Sequence, residues 1–234
     1  MLKPVEHRSA QQHAQLGVIR ARDALVRART LLVNAARSLA KGCGHRLPPT
    51  VTATFGQRAQ RLLPEPLRAS VSGLLEQIDA LGVQIQGYEQ KIADLARDYP
   101  VVGRLETIPG VGTLTALTFV LTLGRAERFA HSRDVAGYLG LRPKQRQSGE
   151  RDPRLGISKS GDRYLRKLLV QCAHHILGQW GKDSALRRWG LGLGQRGGKN
   201  ATKTAIVAVA RKLAVLLHRM WVSGEVYLPF YGAR

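Results

Sequence analysis

Apolar residues recur along this chain at spacings of three and four, and strict alternation is nearly absent. In the first segment Ala14, Val18, Ala21, Leu25, Ala28, Leu32, Ala35 and Leu39 follow one another in a four–three rhythm. That is a heptad seam in which alternate layers are alanine, so a partner helix can approach closely. Arg20, Arg22, Arg27, Arg29 and Arg37 are expected on its other faces. The run stops in "KGCGHRLPP", where glycines and then prolines cannot continue a helix.

A second seam starts after "LLPEP": Leu67, Val71, Leu74, Ile78, Leu81, Ile85, Tyr88, Ile92 and Leu95, ended by Pro100. At ~1.5 Å per residue each helix would extend roughly 40 Å. The pattern allows an antiparallel hairpin, a dimerising coiled coil or a bundle within one domain. "TVTATF" at 50–55 alternates too weakly to be read as a strand.

Beyond Pro100 the pattern shortens. "VGRLETIPGVGTLTALTFVLTL" sets Pro109, Gly110 and Gly112 between two apolar helical runs. This resembles a helix-hairpin-helix over 105–122, with the small residue Ala116 in the following helix. Glycines there let backbone N–H groups face a phosphate. A tight turn between packed helices would use the same residues, so both readings stand.

A helix is expected from near Ser132. Residues 143–157 lack periodicity and read as a loop. Another helix then starts in "SKSGDRYLRKLLVQCAHHIL", with Ser158 or Ser160 as N-cap and Leu165, Leu168, Leu169, Cys172 and Ile176 as its apolar stripe. The last third holds "SALRRWGLGLGQ", a glycine-rich turn, the helical "NATKTAIVAVARKLAVLLHRMW" and a closing "VYLPFY". The fold class is therefore all-α: a long heptad-patterned helical hairpin or coiled coil over 1–98, then a compact helical domain over 99–234.

Charge narrows the choice of partner. The 234 residues carry 37 Lys and Arg against 16 Asp and Glu, a net +21, although the apolar share of 44% is ordinary. Such an excess of positive charge points to a polyanion, and nucleic acid is the commonest one. No apolar run approaches the ~20 residues a spanning helix needs. "MLKPVEHRSAQQ" has no signal-peptide core. Cys43 and Cys172 are far apart, "CGH" is not a zinc pattern, and His174–His175 within a helix reads as packing. The expected setting is reducing, cytoplasmic and nucleoid-associated, with no membrane partner and no metal held by this chain.

Much of that charge surrounds one serine. In the basic loop at 141–160 and the helix start after it, Arg142, Lys144, Arg146, Arg151, Arg154, Lys159, Arg163 and Arg166 face only Glu150, Asp152 and Asp162 in the acidic column. A helix N-terminus behind such a loop suits a phosphodiester. These eight cations, with the Gly110–Gly112 turn as a second phosphate contact, are the candidate DNA- or RNA-binding residues. Ser148, beside Gly149, lies in their midst. As a Ser-Gly pair it is a turn candidate. As a nucleophile it needs a base, and no His or Asp stands at a telling spacing, whereas charge stabilisation is well supplied.

"IPGVG", "RFAHSRDVAGYLGLRPKQRQSGERDPRLGISKSGDRYLRKLL" and "GGKNATKTAIVAVARKLA" together resemble the C-terminal part of the insertion-sequence "one-ten" family of bacterial transposases. That family is related to Piv-type DNA invertases and known as bridge-RNA-guided recombinases. "RARDALVRARTLLVNAARSLA" with its "LPP" exit resembles the helical region preceding that part, so the likeness runs from about 15 to about 230. Its longest motif is "GLRPKQRQSG…GISKSGDRYLR".

The resemblance implies a DNA transposase in which a serine, Ser148 here, attacks DNA and becomes joined to it. It further implies an RNase-H-like domain whose carboxylates bind divalent metal, with Mg2+ expected only together with that domain. DNA ends and target, a guide RNA and a second copy through the heptad helices are the implied partners. No β-rich carboxylate region precedes the helices, so the expectation is a chain needing that domain from elsewhere. A non-catalytic nucleic-acid-binding remnant or regulator of transposition, and a helical scaffold with incidental charge, are the competing readings.

Overall fold

The computed structural model describes residues 8–145, 155–198 and 200–230. Among these, every regular element is helical. The chain divides into two compact units, Ala14–Leu95 and Ala96–Arg234 together with Met1–His13.

Ala14–Leu95 is built on α1 (Ala10–Gly42) and α3 (Glu65–Arg97), with a 3-10 turn at Thr52–Thr54 and the short α2 (Phe55–Leu62) between them. The two long helices run antiparallel. Arg22 on α1 bonds Glu89 on α3, and Val33, Ala36 and Ala40 share one apolar core with Ile78, Leu75, Val71 and Leu67. Phe55, Ala59 and Leu63 close that core from the connecting segment. Each fully buried large aliphatic contributes about 1.5–3 kcal/mol, and Val71, Leu75 and Ile78 are almost wholly buried.

The α3 seam matches its pattern, except that Leu75 rather than Leu74 is fully buried. The α1 seam does not. Ala14, Ala28 and Leu39 are exposed, and the inward stripe is Gln15, Ile19, Arg22, Val26, Arg29, Val33, Ala36 and Ala40, all buried or half-buried. This set keeps the same four–three rhythm but contains two arginines. A long arginine stem can cover apolar surface while its head group reaches a polar partner, and Arg22 does so, its guanidinium bonding Glu89. Arg37, expected on an outer face, instead lies half-buried over the ring of Phe55, 5.1 Å from its centroid.

The larger unit starts with Arg8 and a capping box. Ser9 Oγ accepts from the Gln12 N–H at 3.1 Å, and Gln12 Oε1 accepts from the Ser9 N–H at 3.2 Å. Arg8 donates to the Thr122 carbonyl at 2.8–2.9 Å, and Gln12 to that of Gly124 at 3.1 Å. There follow α4 (Pro100–Leu105), α5 (Thr113–Leu123), a 3-10 turn at Ala126–Arg128, α6 (Ser132–Tyr138), α7 (Arg163–Leu177), α8 (Ala185–Gln195) and α9 (Ala201–Ser223).

The central helix is α9, which touches α4, α6, α7 and α8. Its inner face of Ala205, Val209, Ala210 and Ala214 lets neighbours approach closely, and Gly190 on α8 exploits this, since a Cβ there would meet Val209 at 2.5 Å. The α5 helix is buried from Thr115 to Leu123. His218 ties α9 to the start of α6: its ring nitrogens lie 2.9 Å from Ser132 Oγ and 2.9 Å from the Ala126 carbonyl oxygen. Near the end of the described residues the chain returns to α8, with Ala185 N–H donating to the Pro229 carbonyl at 2.8 Å.

Candidate nucleic-acid interface

The basic segment is held at its base by a short antiparallel ribbon. Lys144 N–H donates to the Gly156 carbonyl at 3.0 Å, Ser158 N–H to that of Arg142 at 2.9 Å, and Pro143 pairs with Ile157. The chain thus leaves at Gln145 and returns at Leu155 side by side. Ser148, Arg146, Arg151 and Arg154 lie outside the described residues.

Two glycines pin this ribbon to the end of α6. Gly140 has φ +67°, and a Cβ there would lie 2.2 Å from the Ser160 carbonyl oxygen. Gly161 has φ +76°, and its Cβ would lie 2.0 Å from the Tyr138 carbonyl oxygen. Here two backbone segments cross at a separation only glycine permits. Lys159, with φ +59°, is a non-glycine residue in the left-handed region, held by its N–H donating to the Gly140 carbonyl at 3.1 Å.

The predicted cations divide by task. Arg166 donates to the carbonyls of Leu139 at 2.8 Å and Ser160 at 2.7 Å, locking the crossing from below. Arg142 folds back over Gly137 and donates to Asp134 Oδ1 and the Arg133 carbonyl, both at 3.0 Å. Lys144, Lys159 and Arg163 are exposed. The helix behind them is capped by Asp162, whose carboxylate accepts from Leu165 N–H at 2.8 Å, not by Ser158 or Ser160, which bond each other at 2.9 Å. Gly161 makes the difference, because its turn places Asp162 at the position from which a side chain reaches N3. The stripe of Leu165, Leu168, Leu169, Cys172 and Ile176 is buried as expected.

The Gly110–Gly112 turn is elsewhere. Gly110, φ +93°, packs onto α7, where a Cβ would meet His175 at 2.9 Å and Ile176 at 3.2 Å. Gly112 is the N-cap of α5 and faces open space. The turn sits roughly 15–20 Å along α7 from Arg163 at ~1.5 Å per residue, so the ribbon and the turn do not converge on one point. Between them Cys172 Sγ lies 3.5 Å from Thr115 Oγ1, and burial pushes its thiol above the ordinary cysteine range despite that bond.

Among the described residues no group of three or more His, Cys, Asp or Glu side chains could hold a metal ion. No helix among them is long and apolar enough to cross a membrane.

Residues 102–190, from α4 into α8, match the family model described as Transposase IS116/IS110/IS902 family. The chain is 30% identical to the transposase for insertion sequence element IS1111A of Coxiella burnetii, over 95% of this chain and 62% of that protein. It is 32% identical to the transposase for insertion sequence element IS1328 of Yersinia enterocolitica, over 95% of this chain and 67% of that one. A pilin gene-inverting protein of Moraxella lacunata is 30% identical over 48% of this chain and 34% of its own length. The chain thus spans about two thirds of the transposases it matches. With the identity to the Yersinia relative sustained over that extent, the chain belongs to the IS116/IS110/IS902 family of insertion-sequence transposases.

Proposed function

We propose that this chain binds DNA through its basic ribbon and carries out strand exchange through Ser148, as a transposase or site-specific recombinase. The observation that carries this reading is the ribbon itself. It brings both ends of the serine-bearing segment together beside exposed Lys144, Lys159 and Arg163, at the N-terminal end of α7. Cations and a helix N-terminus favour the phosphodiester and the charge that builds up on it.

In the step itself the Ser148 Oγ–phosphorus bond forms as the bridging bond to a deoxyribose oxygen breaks, and the serine proton ends on the released sugar hydroxyl. The base that moves this proton belongs to a carboxylate domain, which acts together with this chain. Because the ribbon contacts backbone, replacing Lys144, Lys159 or Arg163 lowers affinity for all sequences alike. Gly112, at the start of α5, is the remaining candidate for a second phosphate contact, and a guide RNA the remaining candidate for reading sequence.

The test is to combine the chain with the carboxylate domain of a relative and element-end DNA, and to look for a covalent protein–DNA adduct. The expected adduct is lost in Ser148→Ala. An adduct that persists in that variant overturns the assignment of the serine. Binding that falls steeply with salt, as counterion release requires, with no adduct under any condition, points instead to a regulator that only occupies DNA.

A further inference from the structure

A groove of about 740 Å3 lies against the ribbon within the larger unit. Its floor is apolar: Leu141 and Ile157 from the ribbon, and Val207, Ala208 and Val215 from α9. These α9 residues form a second apolar stripe, set apart from the inner face that packs on α7 and α8. Along the rim stand Lys159, Lys203, Arg211 and Lys212. No described residue lining the groove is acidic. Trp189 of α8 forms one wall, 39% exposed, with the Lys212 ammonium 4.3 Å from its ring centroid.

An apolar floor ringed by four cations is a mixed demand. A hydrocarbon ligand would fill the floor and leave the cations without a counter-charge, and an acidic peptide would match the cations and leave the floor unfilled. A nucleotide meets both, because its base has a flat apolar face and its phosphate is anionic. The size also fits, since small-ligand pockets span roughly 300–1,000 Å3. A base can reach such a groove only when out of the duplex stack.

We propose that the groove holds an unstacked base of a locally unpaired DNA strand, its ring against Trp189 and its phosphates on Lys203, Arg211 and Lys212. The inference rests on the DNA-processing reading above, since the groove's ribbon wall leads into the Ser148 segment. The groove is then the place that keeps the strand apart while the adjoining segment works on its backbone.

The experiment measures binding of the full chain to a labelled oligothymidylate, to a duplex of equal length, to an oligouridylate and to an abasic oligodeoxynucleotide. In Trp189→Ala the oligothymidylate affinity should fall about 5- to 140-fold, the range that stacking one base supports. Duplex and abasic strands should change by less than about twofold, their contacts being backbone only. Trp189→Phe keeps a stacking face and should retain most of the affinity. Ala208→Phe fills the groove with Trp189 intact and should reproduce the selective loss. Equal losses on all ligands, or no loss on oligothymidylate, overturn the proposal, as does tighter binding of oligouridylate than of oligothymidylate. A Ser148 adduct that forms while Trp189→Ala shows no selective loss overturns the groove alone. A wild-type chain that retains no DNA overturns the groove together with the reading it rests on.

Discussion

Replacing Gly161 by alanine tests whether the backbone crossing organises the basic segment. Gly161 sits at φ +76°, where an alanine costs about 1–2 kcal/mol. Its Cβ would lie 2.0 Å from the Tyr138 carbonyl oxygen and 3.3 Å from the Leu139 Cα. Both are backbone atoms, so no side-chain rotation relieves the overlap and the ribbon must move away from α6. Removing a glycine from the unfolded chain returns about 0.4–1 kcal/mol. The strain outweighs this return even before the overlap is counted. For a unit of this size each kcal/mol lowers the melting temperature by about 2–4 °C, so a fall of several degrees is expected. Gly156→Ala is the matched control: it lies in the same ribbon, has no positive φ, and its Cβ would face open space. Its melting temperature should stay within a degree or two of the parent by the same scaling. Trp180, Trp189 and Trp221 all belong to the larger unit, so tryptophan fluorescence follows its unfolding separately from the helical pair. Duplex affinity should fall in Gly161→Ala and hold in Gly156→Ala, because the crossing presents Lys144 and Lys159. Equal melting temperatures for the two variants would refute the reasoning.

Two further outcomes follow from the chemistry of single groups. Cys172 is buried with a raised thiol pKa while Cys43 is exposed, so brief alkylation of the native chain near pH 8 should label Cys43 alone; equal labelling by peptide mass spectrometry counts against the packing around α7. Asp183 accepts from Arg188, which holds its carboxyl below the usual aspartate value, and Phe230 stacks on the same guanidinium, 5.1 Å from it. A depressed folded-state pKa means the stabilisation is present above the unfolded value of about 3.9 and is lost as pH falls through the folded value. Amide protection across residues 226–230, taken relative to unstructured peptide at the same pH, should therefore fall below about pH 4 in the parent, and that step should vanish in Asp183→Asn.

The helical character of the chain was legible because three–four periodicity survives wherever a helix has one dry face. The α7 and α9 helices and all but one position of the α3 stripe illustrate this. In α1 two stripes share that rhythm, and periodicity favours the one made of alanine and leucine, whereas the other is the one turned inward. The structure uses the stripe with Arg22 and Arg29, because long cationic side chains can face a neighbour when carboxylates or open polar space lie opposite. The short α2 gave no periodic signal at all, as eight residues with Phe55 and Ala59 inward are too few to repeat.

At the candidate site the difference is of another kind. Composition singled out the segment by its charge, and charge alone does not separate a cation aimed at a phosphate from one that satisfies a carbonyl. Arg166 is of the second sort, and its two carbonyl acceptors belong to the very residues that Gly140 and Gly161 bring together. The glycines were visible in "GLRP" and "SKSGDR" as ordinary turn residues. What they do depends on segments twenty residues apart meeting backbone to backbone, a relation with no periodicity to reveal it. The segment thus divides its cations: Arg142 and Arg166 are bound by protein carbonyls, while Lys144, Lys159 and Arg163 are presented to solvent from that frame. Replacing Arg166 should therefore act through the position of Lys144 and Lys159, whereas replacing Arg163 should act through charge alone.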